Sequence, residues 1–231
     1  MKDENQRMSK SKKINSFFRF ILICFLITIN QLVVFSQQGK IETGNFFVSN
    51  YSRSFLNSIS GNWALLQDPE GVIYIANTYN GVSTYDGQKI RRVYDIEGRP
   101  KLGLARALVM DSKHIIYTII GGEFGYIEKN KFGESIFYSL SKSLASKDQI
   151  NTTLWSSGVI NDTVIFQSEK SVYLYKYKKL LSIQHFDDIL HAVNINKNGA
   201  YLRIWGKGLY KLEGGKFILL PSTKELFAQC K

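Results

Sequence analysis

Asn62–Gly87 reads NWALLQDPEGVIYIANTYNGVSTYDG. Its apolar runs are short and rich in Val, Ile, Tyr and Trp, which is typical of β-strands. Each run is closed by turn-forming residues, namely Asp68 and Gly71, then Asn80 and Gly81, then Asp86 and Gly87. Glycine adopts positive φ without a Cβ clash, and Asn and Asp tolerate the left-handed region. The stretch therefore predicts three antiparallel strands, and Lys89–Tyr94 adds a fourth.

Units of the same kind follow along the chain. Asp111 lies 43 positions after Asp68, so the second unit is in phase with the first. The four units are 59–94, 103–140, 152–184 and 189–220. Four antiparallel strands in about 35 to 45 residues are typical of one blade of a β-propeller, which buries its faces only against neighbouring blades. We therefore predict an all-β propeller of about four four-stranded blades in an incomplete ring; a closed four-bladed ring is the alternative.

The segments outside these units have their own signatures. Residues 1–36 combine a basic start with the apolar run Phe17–Phe35, which is typical of a secretory signal peptide. We predict export to the periplasm or the outer face of the inner membrane, with an uncleaved anchor as the alternative. Residues 37–58 are interpreted as an extended lead-in, Ser141–Ile150 as an exposed loop, and 221–231 as a truncated tail without a capping element.

Charge and cysteine content exclude several classes of protein. The net charge is +11, but part of the excess lies in the first 36 residues and the rest is dispersed. A dispersed charge argues against nucleic-acid binding and leaves the N-terminal segment as the expected membrane contact. The two cysteines are Cys24 and Cys230, so the segment between them has no disulfide framework and no cysteine metal site.

One repeat carries a family resemblance. Its pattern is formed by Asn62, Trp63, Gln67, Asp68, Gly71, Ile73, Tyr74, Ala76, Asn77, Asn80, Gly81, Tyr85, Asp86 and Gly87. This pattern resembles the two-component regulator propeller repeat, although Val82 stands where that family usually has Leu. The match is good over 45–94, fair over 103–140 and only architectural over 152–220.

The resemblance implies an extracytoplasmic input domain. In that family the propeller precedes a small β-sandwich, a transmembrane helix, and a histidine kinase or DNA-binding output domain. The resemblance therefore implies that this chain is the N-terminal part of such a sensor. Its signalling kinase or regulator domain is then missing from this chain.

Catalytic and metal-binding motifs are sparse. The sequence contains no HExxH, no cysteine ligand pair and no nucleophile elbow. Asp187, Asp188 and His191 are close enough in sequence to hold a cation, but a polar turn before a strand is the favoured interpretation. We therefore expect no metal, no cofactor and no enzymatic activity.

The tryptophans offer the best candidates for a binding site. Trp63, Trp155 and Trp205 recur near strands that pack between blades, and most are interpreted as core. An aromatic ring at the mouth of the central channel could instead stack on a sugar, with an arginine as polar partner. The candidate ligand-binding residues are Arg106, Trp155, Arg203 and Trp205.

The preferred function is a non-enzymatic sensor or ligand-binding module of a bacterial signalling protein. The expected ligand is a carbohydrate or another small periplasmic molecule. A periplasmic propeller enzyme acting on glycans and an inactive truncated scaffold are the alternatives.

Overall fold

The computed structural model describes residues 22, 25, 50–52, 61–150 and 152–228. Of the predicted signal segment, only Leu22 and Phe25 are described, and both are helical. The rest of that segment and most of the predicted lead-in lie outside the described residues. The chain divides into two units between Asn50 and Tyr51, and all described strands lie in the second unit. None of the described residues belongs to a helix long and apolar enough to cross a membrane.

In the described part of the chain, sixteen strands form four sheets of four, which we call blades one to four. Blade one comprises β1 (Asn62–Gln67), β2 (Ile73–Asn77), β3 (Gly81–Tyr85) and β4 (Ile90–Arg92). Blade two comprises β5 (Ala105–Met110), β6 (Ile116–Ile120), β7 (Glu123–Lys129) and β8 (Ser135–Ser139). Blade three comprises β9 (Leu154–Ile160), β10 (Thr163–Ser168), β11 (Ser171–Lys176) and β12 (Lys179–His185). Blade four comprises β13 (Leu190–Asn196), β14 (Gly199–Ile204), β15 (Gly208–Glu213) and β16 (Lys216–Leu219).

Each blade is an antiparallel meander in which strands that are consecutive in sequence pair side by side. The first strands of successive blades contact one another, so β1, β5, β9 and β13 form the inner row. This arrangement confirms the predicted all-β fold of four-stranded antiparallel blades.

The aspartate turns that open blades one and two have the same structure. Asp68 Oδ1 accepts hydrogen bonds at 3.0 and 2.9 Å from the backbone N–H groups two and four residues later. Asp111 Oδ1 does the same at 2.9 and 3.0 Å. The fourth turn residue has positive φ in both, +86° at Gly71 and +61° at His114. The 43-residue phase between the two aspartates therefore corresponds to an equivalent backbone structure.

The other two turn pairs of blade one have different roles. Asp86 Oδ1 accepts hydrogen bonds from the backbone N–H groups of the two residues that follow Gly87, at 2.9 and 2.8 Å. Asn80 precedes Gly81, whose N–H donates to the carbonyl of Gly103 at 2.9 Å. The Asn80-Gly81 turn thus joins blade one to the segment that leads into β5.

Apolar clusters fill the three spaces between successive blades. Between blades one and two the cluster includes Tyr74, Ala76, Val82, Ala105, Ile116, Ile120 and Ile127. Between blades two and three it includes Tyr117, Phe124, Leu154, Phe166, Tyr173 and Tyr175. Between blades three and four it includes Ile165, Leu174, Leu190, Leu202, Ile204 and Phe217. In the described part of the chain, no such cluster joins blade four to blade one.

Two segments differ from the sequence-based expectations. Ser141–Ile150 is not a simple exposed loop, because it contains two 3-10 turns and buries Ser141 and Leu144. The tail was predicted to lack a capping element, but Pro221–Thr223 forms a 3-10 turn and Lys224–Ala228 forms helix α1. Helix α1 packs against β15. The polar composition of the two segments hid the few apolar side chains that pack on the blades.

Replacing Asp162 with asparagine is expected to change the pH dependence of stability. Hydrogen bonds from Tyr177 Oη (2.6 Å) and the Ser112 N–H (2.9 Å) lower the pKa of Asp162 to about 2, below its ordinary value of 3.8. Because the folded-state pKa is depressed, the stabilisation is present above pH 3.8 and is lost as the pH falls towards 2.

The melting temperatures of wild type and Asp162→Asn should therefore differ most near pH 6 and converge near pH 2. Asp187→Asn is the control, because Asp187 is exposed and makes no hydrogen bond or ion pair to another described residue. If the difference in melting temperature between wild type and Asp162→Asn stays constant between pH 6 and pH 2, the lowered pKa of Asp162 is contradicted.

Candidate functional site

The inner strands all begin at one edge of the blades, which we call the leading rim. It contains the first residues of the four inner strands. It also contains the turn that joins the second strand of each blade to the third strand. Backbone hydrogen bonds hold this rim together, as when Glu169 of the β10–β11 turn accepts from the Leu190 N–H at 2.8 Å. The Trp205 N–H similarly donates to the carbonyl of Ile189 at 3.0 Å.

Each inner strand carries a register shift at its start. The shifts lie between Asn62 and Ala64, between Ala105 and Leu108, opposite Gln167 and Ser168, and between Leu190 and Ala192. The second residues of the four strands therefore lie at these bulges: Trp63, Arg106, Trp155 and His191. A bulge turns a side chain away from the regular pleat. The four blades thus place one bulky polar or aromatic residue each at equivalent points of the leading rim.

Side chains on the neighbouring strand or the neighbouring blade bond the backbone groups at and beside the bulges. Gln167, fully buried in blade three, accepts from the Val193 N–H at 3.0 Å and donates to the Leu190 carbonyl at 3.3 Å. In blade two, Thr118 Oγ1 donates to the Ala107 carbonyl at 2.8 Å. These contacts fix the bulges and hence the directions of the rim side chains.

Arg106 joins the bulged residues of three blades. Its guanidinium carbon lies 4.3 Å from the ring centroid of Trp155 and 5.7 Å from that of Trp63. Both distances are within the range of cation–π attraction. The Arg106 Nε is buried without a hydrogen-bond partner, and its guanidinium forms no ion pair with any described residue. The cation is thus held by aromatic faces and is not neutralised by a carboxylate of the described residues.

Arg203 and Trp205 form a second cation–aromatic group on the rim. The Arg203 guanidinium carbon lies 5.6 Å from the Trp205 ring centroid and 5.3 Å from that of Phe227 in α1. His191 stacks on Trp205, with ring centroids 6.0 Å apart and planes at 22°. The structure therefore pairs Arg106 with Trp155 and Arg203 with Trp205. No contact between the two pairs is seen among the described residues.

The interpretation of the tryptophans as mostly core was wrong. Trp63, Trp155 and Trp205 have exposed fractions of 59%, 45% and 45%. Because these are the three tryptophans of the chain, all of its indole rings lie on the leading rim. Trp63 and His191 were not among the ligand-binding candidates, although each is the second residue of an inner strand. That shared position is the sequence signal that would have found them.

A cavity of about 560 Å³ opens beside Arg106. Arg106 and Ile119 of blade two form part of its lining, and Thr153, Leu154 and Glu169 of blade three form another part. Its volume is in the range of small-molecule sites. The leading rim thus combines exposed aromatic faces, an available cation and a concave space.

The residues considered for a cation do not converge. Asp188 Oδ2 lies 3.6 Å from the Lys207 Nζ, and His191 stacks on Trp205. Among the described residues, no group of three His, Cys, Asp or Glu side chains could hold a metal ion.

Sequence reasoning missed a chain of contacts among Asp148, His185 and Ser171. Asp148 Oδ1 lies 3.0 Å from His185 Nε2, and His185 Nδ1 lies 2.8 Å from Ser171 Oγ. Because a carboxylate only accepts, Nε2 carries a proton, and in the neutral imidazole Ser171 therefore donates to Nδ1. Serine hydrolases activate their nucleophile with such a chain. Ser171 is only 8% exposed and lines none of the cavities described, so here the chain ties the blade two–three linker to blade three.

Solved structures with a similar fold include other propellers. The extracellular domain of BT4673 from B. thetaiotaomicron is described in two structures as a one-component and as a hybrid two-component system. It aligns with a TM-score of 0.50 at 18% identity, over 70% of this chain and 22% of that chain. The WD40 β-propeller domain of Doa1 aligns with a TM-score of 0.49 at 15% identity, over 70% of this chain and 54% of that chain. The fold is a β-propeller.

These comparisons support the fold and no closer relationship. The chain spans about a fifth of the length of the BT4673 domain. No protein-family model matches the chain, and no curated protein matches it in sequence.

The expectation that the chain is not an enzyme was wrong, because propellers of similar fold include enzymes. Virginiamycin B lyase from Staphylococcus aureus aligns at 12% identity with a TM-score of 0.45, over 71% of this chain and 57% of that chain. The dihydro-heme d1 dehydrogenase NirN aligns at 9% identity with a TM-score of 0.46, over 67% of this chain and 35% of that chain.

Proposed function

We propose that this propeller is a ligand-binding sensor module that works outside the cytoplasm and binds a small molecule on its leading rim. The observation that carries this proposal is the position of Arg106, whose guanidinium is held against Trp155 and close to Trp63 with no carboxylate partner among the described residues. The exposed indole rings can stack on a ligand, and the guanidinium can donate hydrogen bonds to the same ligand.

The chemistry of this group fits a carbohydrate or another small ring-containing ligand. The faces of Trp63 and Trp155 are large and apolar, so they can cover the apolar face of a ring. The guanidinium presents directional N–H donors to hydroxyl or carboxylate oxygens beside that ring. The cavity next to Arg106 gives such a ligand a concave seat of about 560 Å³.

The proposed location and partner follow from two supports. The N-terminal 36 residues have the layout of a secretory signal, and BT4673, whose fold is similar, is an extracellular domain. A sensor outside the cytoplasm needs a signalling kinase or regulator domain as partner. Binding on the rim would reach that partner through the contacts between blades, because Arg106 and both rings belong to three successive blades.

The test is calorimetry of the purified chain against a panel of oligosaccharides. Truncating an aromatic ring that stacks on the ligand costs about 0.5–1.5 kcal/mol, so Trp155→Ala should raise the Kd by up to roughly tenfold. Phe132→Ala is the matched control, because Phe132 is a large aromatic residue, 75% exposed, in the β7–β8 turn at the opposite edge.

A bound saccharide whose Kd responds equally to both substitutions would contradict the assignment of the rim. Failure of every saccharide in the panel to bind would contradict a carbohydrate ligand. Analysis of the incubated panel for products shows whether binding is accompanied by turnover.

A further inference from the structure

Glu169 is a half-buried carboxylate whose side chain pairs with none of the residues that the structure describes. Among the described residues, the other half-buried or buried carboxylates form hydrogen bonds or ion pairs, as Glu128 does with Lys178 and Asp188 does with Lys207. The Glu169 side chain forms neither with any of the described residues, although it lines the cavity beside Arg106. A carboxylate on the cavity lining that is not engaged by another described side chain is available to a ligand.

The backbone of Glu169 is fixed from both sides. Its N–H donates to the carbonyl of Thr153 at 3.2 Å, and its carbonyl accepts from the Leu190 N–H at 2.8 Å. The carboxylate therefore extends from a rigid turn between β10 and β11. Arg106 is fixed as firmly, since its strand is bulged and its guanidinium lies 4.3 Å from the Trp155 ring centroid.

Two opposite charges thus line one cavity without pairing. No ion pair joins Arg106 to Glu169, although both line the cavity. Arg106 is held against Trp155, and the backbone of Glu169 is held by its two hydrogen bonds, so both charged residues are fixed on the cavity lining. A ligand that carries one anionic and one cationic group would satisfy both at once.

Resting on the proposed function, we propose that this cavity binds a small zwitterion with a carboxylate towards Arg106 and an ammonium towards Glu169. Free amino acids and short peptides carry both groups. The cavity, at about 560 Å³, has room for a dipeptide. An aromatic or aliphatic side chain of the ligand would lie against the exposed Trp155 ring, and the Thr153 hydroxyl adds a polar contact.

The experiment is calorimetry with glycyl-L-phenylalanine and two blocked derivatives. The N-acetyl derivative lacks the ammonium, and the C-terminal amide lacks the carboxylate. Hydrogen bonds to charged groups are the stronger class, so we expect each derivative to bind at least about tenfold more weakly than the dipeptide. Glu169→Gln and Arg106→Gln should each weaken dipeptide binding by a similar factor.

A double-mutant cycle assigns each charge to its partner. Blocking the ammonium should cost little further affinity in Glu169→Gln, and blocking the carboxylate should cost little further affinity in Arg106→Gln. Glu97→Gln and Arg99→Gln are the matched controls, because this exposed pair lies in the β4–β5 connection and does not line the cavity. Circular dichroism and thermal melting check that the four variants fold.

Two outcomes would overturn the inference. One is failure of the wild-type chain to bind glycyl-L-phenylalanine. The other is equal binding of the dipeptide and its blocked derivatives. If a neutral oligosaccharide binds with a Kd that depends on Trp155 and not on Glu169, the zwitterion inference fails while the proposed function stands. If calorimetry detects binding at a site insensitive to Trp155 and Arg106, both fail.

Discussion

Replacing Phe124 with alanine is expected to destabilise the propeller by about 3–5 kcal/mol. Phe124 is fully buried between blades two and three. Its ring stacks on Phe166 at a centroid distance of 4.3 Å and lies 5.0 Å from Tyr173 and 5.6 Å from Tyr175. Truncation removes the centre of this aromatic cluster and leaves a cavity that rings held on two rigid sheets cannot fill.

Urea unfolding followed by far-ultraviolet circular dichroism measures this loss. Phe132→Ala is the control, since the Phe132 ring is 75% exposed and its truncation should change the free energy of unfolding by less than about 0.5 kcal/mol. If Phe124→Ala unfolds within 1 kcal/mol of wild type, on the order of a surface substitution, the packing of blade two on blade three is not as described.

Replacing Gly81 with alanine is expected to destabilise the chain by about 3 kcal/mol or more, from two separate effects. Gly81 has φ +67°, where a Cβ costs about 1–2 kcal/mol. A Cβ at this position would also lie 2.0 Å from the carbonyl oxygen of Lys101. The chain can relieve that overlap only by moving blade one away from the segment before β5. Overpacking of this kind destabilises a protein by about 1–3 kcal/mol.

Gly87→Ala separates the two effects. Gly87 has φ +90°, but a Cβ there would meet no atom within 4 Å. Its substitution should therefore show the backbone cost alone, about 1–2 kcal/mol. Equal losses for Gly81→Ala and Gly87→Ala in urea unfolding would mean that the close approach of the two blades at Gly81 does not exist in solution.

The turns were the part of the fold that local sequence could predict. The hydrogen bonds of Asp68 and Asp111 depend on residues within four positions, so a short pattern determines them. The same locality explains why alternating apolar strands indicated blades. At Asp111, His114 takes the positive φ that glycine takes in blade one, and the phase of the aspartates still predicted an equivalent turn.

The site was harder to predict because it depends on bulges. In a regular strand, successive side chains point to opposite faces, and a bulge breaks this alternation. Register shifts of this kind lie at Trp63 and Trp155, at the starts of two inner strands. A shift arises from pairing with the next strand, which single-strand patterns do not contain.

Contacts made through loops were not predictable from the sequence. The pairing of Asp148 with His185 joins residues 37 positions apart, and the isolation of Glu169 depends on which charges fail to reach it. Neither feature follows from a fixed spacing between residues, so no sequence motif describes it. Arg106 and Arg203 were identified as candidates only because a propeller rim needs polar groups beside aromatic rings.

The most direct test of the central claim, that ligand binds on the leading rim, uses the intrinsic fluorescence of the unmodified chain. All three tryptophans lie on that rim and are exposed, so indole emission reports on this surface alone. The account predicts that a ligand found by calorimetry shifts the emission and protects the indoles from acrylamide quenching at saturation. A ligand that binds by calorimetry while emission and quenching stay unchanged would contradict it.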